Sequence, residues 1–551
     1  MLGERRPPAA QGAAEDVATT PLAVAVTVPD SAVPGDTGPD CAGTDSTGPD
    51  SVWRDPVAWV IALCVFGAYF TISLFRLIQL APTSWDLGIY TEYVKDLADL
   101  HAPIVDVRGP GFNLLGDHFQ VAVAVLAPFF RLFPTPATLL FFQALFAAVS
   151  VFPVVAAGRA LTDRATARLA GFGYGFCWGL QQMINFDFHE IALAVPLLAF
   201  SLSALVRGRV RAAAAWAVPL VFVKEDQGFT VAAIGAYLVI AAVTGGTGSG
   251  RTASGWRDGT ALRCGAFLVV WGLFWSVFAI AVIIPHFNPE HVYYYWKDGG
   301  VVGDGKPLSV MALLAQTWAG WPVKLGTIVM LLLPVAFTAL GSPVALIAVP
   351  GLALRFLSTN SAYWGTEWHY NATVMPILFV AAIDAIARWR TREPGFIAAH
   401  PVFGPVFGPV FRPLADGWHA TRAGLARHGA PMMAIVAVAL AFQFPLSGLW
   451  HASTYRINPH VNADNAAMAV VPDGATVQTT LDFLAPLAAR TDTFWIGNAG
   501  NPLTQYIVFD GLASGYTPAP TNVPAFIKQL YPHAGYVQIF DRDDVYVFRR
   551  R

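Results

Sequence analysis

Ser84-Trp85-Asp86-Leu87-Gly88-Ile89-Tyr90 stands where the first strongly apolar run of the chain, Val57 to Leu80, gives out into water. A carboxylate at the mouth of a transmembrane helix, with a tryptophan beside it, lies between lipid headgroups and solvent. Asp86 is therefore the first candidate for chemistry. Its partners depend on which other polar clusters share its side of the membrane, so topology decides the reading.

The chain has 551 residues, of which 55% are hydrophobic and 13% charged, against about 25% charged in soluble proteins. Repeated apolar runs of about 20 residues make it a polytopic α-helical membrane protein. The net charge of -2 and the lack of a basic, aromatic-interleaved stretch exclude nucleic acid as a partner. Cys41 lies in the polar N-terminal tail and Cys64, Cys177 and Cys264 lie in or beside apolar segments. They read as small core residues rather than a disulfide framework.

Residues 1–55, rich in Ala, Pro, Gly, Asp and Thr, read as a disordered tail, and the first apolar run begins too late to be a signal peptide. Val57 to Leu80 is the first crossing. Trp85 to Leu100 places Leu87, Tyr90, Val94, Leu97 and Ala98 on one face and Glu92, Lys95, Asp96 and Asp99 on the other, the pattern of a helix lying on a membrane surface. Further crossings are expected at 137–157, 169–184, 191–206, 212–223, 229–243, 267–284, 323–340, 344–357, 372–387 and 432–449, about eleven in all. The Gly-Pro-Val-Phe repetition at 402–411 reads as linker. The arginine-rich loops all fall on one side, which places the N-terminus in the cytoplasm and the C-terminal segment outside.

Beyond His451 the composition becomes that of a soluble domain. Strands are expected at 475–480, 493–496, 506–509, 536–540 and 545–548, and helices at 481–489 and 523–530. The expected organisation is thus a cytoplasmic tail at 1–55, a transmembrane domain at 56–450, and a small α/β domain on the outer face at 451–551. No catalytic motif is visible in that last domain.

Under this topology Asp86, Asp117-His118, Asp187-His189-Glu190, Lys224-Glu225-Asp226 and Glu367-His369 all emerge at the outer face. Charges beside membrane spans are expensive, so their convergence suggests an outward-facing cavity. Trp85-Asp86-Leu87-Gly88, Leu115-Gly116-Asp117-His118-Phe119, Phe188-His189-Glu190, Lys224-Glu225-Asp226 and His369-Tyr370 together resemble the bacterial domain-of-unknown-function family 2079, from about Asp86 to the C-terminus. That family is grouped by similarity with the GT-C glycosyltransferases.

The resemblance implies a GT-C-like architecture and a membrane glycosyltransferase of the cell envelope. Such an enzyme takes a sugar from a polyprenyl-phosphate carrier on the outer face and passes it to a glycan, lipid or protein acceptor. The acidic residue of the first outer loop, here Asp86, is the base or metal-binding candidate that the resemblance supplies. Lys224 and Arg355 are candidates for the donor phosphate, since a leaving phosphate needs a cation held close. Internal ion pairing and snorkelling are the structural alternatives for them.

Asp117, His118, Asp187, His189, Glu190, Glu225, Asp226, Glu367, His369 and Tyr370 are expected to shape the site or orient the acceptor. Their spacing matches no zinc motif, and hydrogen-bonded loop residues are the simpler reading. Oxygen-rich donors on the outer face would suit magnesium, manganese or calcium. Tyr293 to Trp296, Trp364 and Trp368 fit an aromatic belt at the headgroups or a platform for a sugar ring. A transporter or lipid flippase is the competing class, which usually carries ionisable groups at mid-membrane and a repeat relating two halves. A non-catalytic assembly protein is the third.

Overall fold

The computed structural model describes residues 51–244, 259–297, 310–391, 403–513, 515–516 and 518–551. Most of the expected tail, the glycine-rich loop at 245–250, Asp298, Asp304 and Arg392 lie outside the described residues.

The first crossing forms where the sequence puts it. Pro56 opens the helix Pro56–Ile78, and Asp55 caps it by accepting the amide of Val57 at 3.0 Å. Its 23 residues span about 34 Å, enough for a bilayer core. Asp55 also holds Arg159 at 3.2 Å and Arg168 at 3.0 Å, and Arg390 reaches Asp163 at 2.6 Å. Arginines from separate helices therefore meet at the end of the bundle where the first helix begins.

Five helices among the described residues are long and apolar enough to cross a membrane: Pro56–Ile78, Pro136–Leu161, Thr260–Phe287, His369–Arg390 and Thr421–Ala441. A sixth candidate, Met311–Trp318 with Trp321–Val335, bends by 65°. The remaining expected crossings are shorter helices, among them Ile191–Val206, Val210–Phe222, Gln227–Val243 and Pro343–Leu357. The stretch expected at 169–184 is broken into Arg164–Gly175 and Trp178–Asn185. At that break the Gly175 carbonyl accepts the Tyr69 hydroxyl at 2.7 Å. Val374–Arg390 is buried along almost its whole length and forms the centre around which the other helices pack.

Two local expectations are corrected. The repetition read as linker lies in a continuous helix, Phe403–Ala441; Phe403, Phe407 and Phe411 recur every four residues, which is a helical period. The helix Asp86–Ala98 does not lie with an open polar face: Glu92 is buried and accepts the amide of Val107 at 3.0 Å. The C-terminal domain covers it, with Leu484 so close that a Cβ on Gly88 would lie 2.9 Å from the leucine Cβ. Lys95 is fixed to the Thr491 carbonyl at 2.7 Å.

That domain contains all five expected strands, β1 (Thr476–Thr479), β2 (Asp492–Trp495), β3 (Tyr506–Asp510), β4 (Tyr536–Arg542) and β5 (Val545–Arg550), in the order β2-β1-β3-β5-β4. The first three are parallel and the last two antiparallel. Asp543 and Asp544 close the final hairpin with φ of 52° and 61°, the conformation of a two-residue turn that follows strand twist. The helix Val461–Val470 was not expected from the sequence.

Candidate active site

The turn that presents Asp86 is built from the end of the first span and from Asp187. Arg76 pairs with Asp187 Oδ1 at 2.8 Å, while Asp187 Oδ2 accepts the amides of Thr83 at 2.8 Å and Ser84 at 3.2 Å. Ser84 Oγ accepts the amide of Asp86 at 3.2 Å. Asp86 is the first residue of its helix, and its carboxylate caps nothing. Among the described residues that carboxylate has no hydrogen bond or ion pair, and the residue keeps an edge open to solvent. Burial among the surrounding loops, then the charge of Glu190, push its pKa up to about 7, with Lys224 pulling the other way.

Glu190 is the hub beside it. Lys224 Nζ lies 2.9 Å from Glu190 Oε1, His189 Nδ1 lies 2.6 Å from Glu190 Oε2, and the Tyr90 hydroxyl contacts the same oxygen. Tyr90 is also 2.8 Å from Gln120 Oε1. Gln143 accepts the His189 amide at 3.0 Å and donates to the Asp187 carbonyl, which joins the hub to the turn under Asp86. His369 stacks on His189 with ring centroids 3.6 Å apart, and both of its ring nitrogens are buried without a hydrogen bond.

A second hub forms on Glu225. It accepts from Tyr293 at 2.8 Å and from the Phe119 amide at 3.0 Å, and lies 2.7 Å from His118 Nδ1. Burial would raise its pKa, but the adjacent His118 and its hydrogen bond outweigh burial and hold it at about 2. Tyr295 stacks on His118 at 4.4 Å and reaches Asp117 at 3.4 Å. These two tyrosines are therefore part of the polar cluster rather than an aromatic belt. Trp296 has no described side chain. Trp364 packs over Lys324, and Trp368 against Phe186.

Between the hubs and the helix Pro343–Leu357 opens a cavity. Lys224, Arg355, Tyr293, Tyr295, Tyr363, His369 and Tyr370 supply its polar wall, and Ile191, Phe229, Leu354 and Ile377 are among its apolar lining. Asp226 is at its edge and accepts from Gln227 at 3.1 Å. Arg355 is held by neutral oxygens, the carbonyls of Tyr363 at 3.0 Å and Tyr370 at 3.2 Å and Asn371 Oδ1 at 2.9 Å. It makes no ion pair among the described residues, whereas Lys224 pairs directly with Glu190. Asp86 does not line the cavity; it lies within electrostatic reach of Lys224 and of Tyr370.

Most of the residues singled out from the sequence thus converge. Glu367 does not: it is exposed and joins neither hub. Among the described residues the group of three His or acid side chains with mutually close donor atoms lies elsewhere, in the C-terminal domain. Tyr90, Gln120, Gln143 and Arg76 were missed, because one uncharged or terminal residue in an apolar stretch gives no signal by itself.

The fold is similar to that of ArnT from Cupriavidus metallidurans bound to undecaprenyl phosphate, at 14% identity and a TM-score of 0.50, over 91% of this chain and 98% of that one. The apo state of the same protein matches equally, over 90% and 98%. The oligosaccharyltransferase AglB from Archaeoglobus fulgidus, in complex with an inhibitory peptide and a dolichol-phosphate, matches at 12% identity over 91% and 74%, with a TM-score of 0.37. At such identity the likeness to ArnT is one of fold alone. No curated protein matches the chain. The family model described as "Predicted membrane protein (DUF2079)" matches residues 76–510, from the arginine beneath the Asp86 turn to the last residue of β3, and the chain belongs to that family.

Proposed function

We propose that this protein is a membrane glycosyltransferase that moves a sugar from a polyprenyl-phosphate donor to an acceptor hydroxyl at the outer face of the membrane. The observation that carries the reading is the unpaired Asp86 carboxylate, set across the Glu190–Lys224 pair from a cavity with a cationic end and an apolar wall. The arginines gathered at the other end of the first helix support an outward-facing site under the positive-inside rule. On that reading the shorter helices cross together with the long ones, the C-terminal domain is extracytoplasmic, and the acceptor is an envelope glycan, lipid or protein.

In the proposed step, the acceptor oxygen attacks the anomeric carbon as its proton passes to Asp86. The bond from that carbon to the phosphate oxygen breaks, and its electron pair leaves on the polyprenyl phosphate. Arg355, anchored by neutral oxygens, is better placed than Lys224 to meet that charge, because Lys224 is already neutralised. Glu190, His189 and Tyr90 act as a positioning group for Lys224. The free nitrogens of His369 suit a sugar or acceptor hydroxyl. The apolar lining suits the polyprenyl chain.

The test is transfer from labelled polyprenyl-phosphate sugars to a membrane extract by purified protein in lipid, comparing the native chain with Asp86→Asn. The substitution nearly preserves size while removing the base. A fall of about 10²–10⁴-fold is expected, with the thermal unfolding midpoint unchanged. Equal transfer by both proteins would remove Asp86 as base, and no transfer from any donor would favour transport of a lipid through the same cavity.

A further inference from the structure

The C-terminal domain carries a second cluster of ionisable groups that the proposed transfer does not use. His460 Nε2 lies 3.0 Å from Asp510 Oδ2 and 3.6 Å from Asp464 Oδ1, and one donor atom from each residue falls within 4.8 Å of the others. Asp464 and Asp510 are 2% and 1% exposed. Asp482, also buried, acts electrostatically on the same cluster. Among the described residues no lysine or arginine pairs with any of these three acids. Asp464 Oδ1 and Asp482 Oδ2 are buried without a hydrogen bond.

We propose that His460, Asp464 and Asp510 bind a divalent transition-metal cation, with Asp482 beside them, in a site separate from the Asp86 centre. Three buried carboxylates against one imidazole leave an excess of negative charge that a dication would compensate. The spacing agrees: donors around a tetrahedral ion at about 2.1 Å stand about 3.4 Å apart. One imidazole with carboxylates suits manganese or zinc better than calcium or magnesium.

The fold brings these residues together at a place suited to a ligand. Asp510 ends β3, and Asp482 lies in the first turn of the helix Leu481–Ala488 that follows β1, the strand paired in parallel with β3. The chain leaves β1 toward β2 on one side while β3 lies on the other, so the acids stand at the carboxyl ends of the strands where connections diverge. His460, the residue just before the helix Val461–Val470, and Asp464 in its first turn, four residues apart, close the group from that helix's N-terminal end. Thr480 Oγ1 donates to Asp482 Oδ1 at 2.9 Å and accepts the Asp510 amide at 3.2 Å, and Asp510 Oδ1 accepts the Leu512 amide at 2.7 Å. These bonds orient the carboxylates from behind, as outer partners do at metal sites.

The test uses the full-length protein in lipid, stripped with chelator and titrated separately with manganese and with zinc. One ion per chain is expected, with a rise of a few degrees in the unfolding midpoint and, for manganese, nitrogen hyperfine coupling from one imidazole. Asp464→Asn and His460→Gln should each weaken binding at least tenfold, while Asp86→Asn should retain the ion. No binding by the folded native protein at millimolar ion would overturn the site. So would binding that persists in Asp464→Asn and His460→Gln, or that is lost in Asp86→Asn. The hyperfine signal is read on the native chain, so it stands even where a variant fails to fold.

Discussion

Asp86 follows an apolar run, where a charge is costly, and its chemistry depends on its carboxylate being left without a partner. Its carboxylate stays unpaired only because Asp187, a residue about 100 positions away, takes up the amides of Thr83 and Ser84 and the guanidinium of Arg76. Pairings across such separations leave no local trace, which is why Glu190 could be nominated while Tyr90 and Gln143, which hold it in place, could not. The consequence is a pH dependence. With burial and Glu190 raising Asp86 to about 7, the group is protonated, and inactive as a base, below that pH. The rate of transfer from a saturating donor should therefore fall about tenfold per unit as pH drops below 7 and level off above it. A rate that stays flat down to pH 5 would exclude Asp86 as the proton acceptor.

At the scale of elements, apolar runs and turn residues located Pro56–Ile78, Pro136–Leu161, His369–Arg390 and all five strands to within a few residues, because length and period are local properties, whereas the last span, expected at 432–449, ends at Ala441. What they did not reveal is how closely two helices approach. Gln227–Val243 and Thr260–Phe287 touch backbone to backbone: a Cβ on Gly272 would lie 2.2 Å from the Gly228 carbonyl oxygen, and one on Gly265 would lie 2.7 Å from that of Gly235. The same contact sets Glu225, whose carbonyl accepts the Ser276 hydroxyl at 2.5 Å. Gly272→Leu cannot be accommodated without parting the helices. It should destabilise the protein by about 1–3 kcal/mol and, by displacing Glu225 from His118 and Tyr293, reduce transfer as well. Differential scanning fluorimetry in detergent together with the transfer assay would check both. An unchanged midpoint would mean that the helices do not touch at this position.

At the scale of the molecule, the two ends of the first helix differ in kind. One gathers Arg159, Arg168 and Asp55, while from the other leads the turn that carries Asp86 beneath the C-terminal domain. The arginine-rich loops carry this polarity in the sequence, yet parity depends on every crossing: several expected crossings are helices too short to span alone, and an error of one would invert every later loop. The fold links the later part of the chain directly to the first loop, through Lys95 on the Thr491 carbonyl and Asn498 on the Val107 carbonyl at 3.0 Å, so the domain must share the side of Asp86 however the short helices are counted. Asp473, exposed and paired with Arg490 at the surface, and Arg427, exposed near the start of the Thr421–Ala441 span, make a pair of probes. With Cys41, Cys64, Cys177 and Cys264 replaced by alanine, Asp473→Cys should react with a membrane-impermeant maleimide on intact cells and Arg427→Cys only after permeabilisation. The reverse pattern would place the Asp86 centre in the cytoplasm, where a donor presented at the outer face could not reach it.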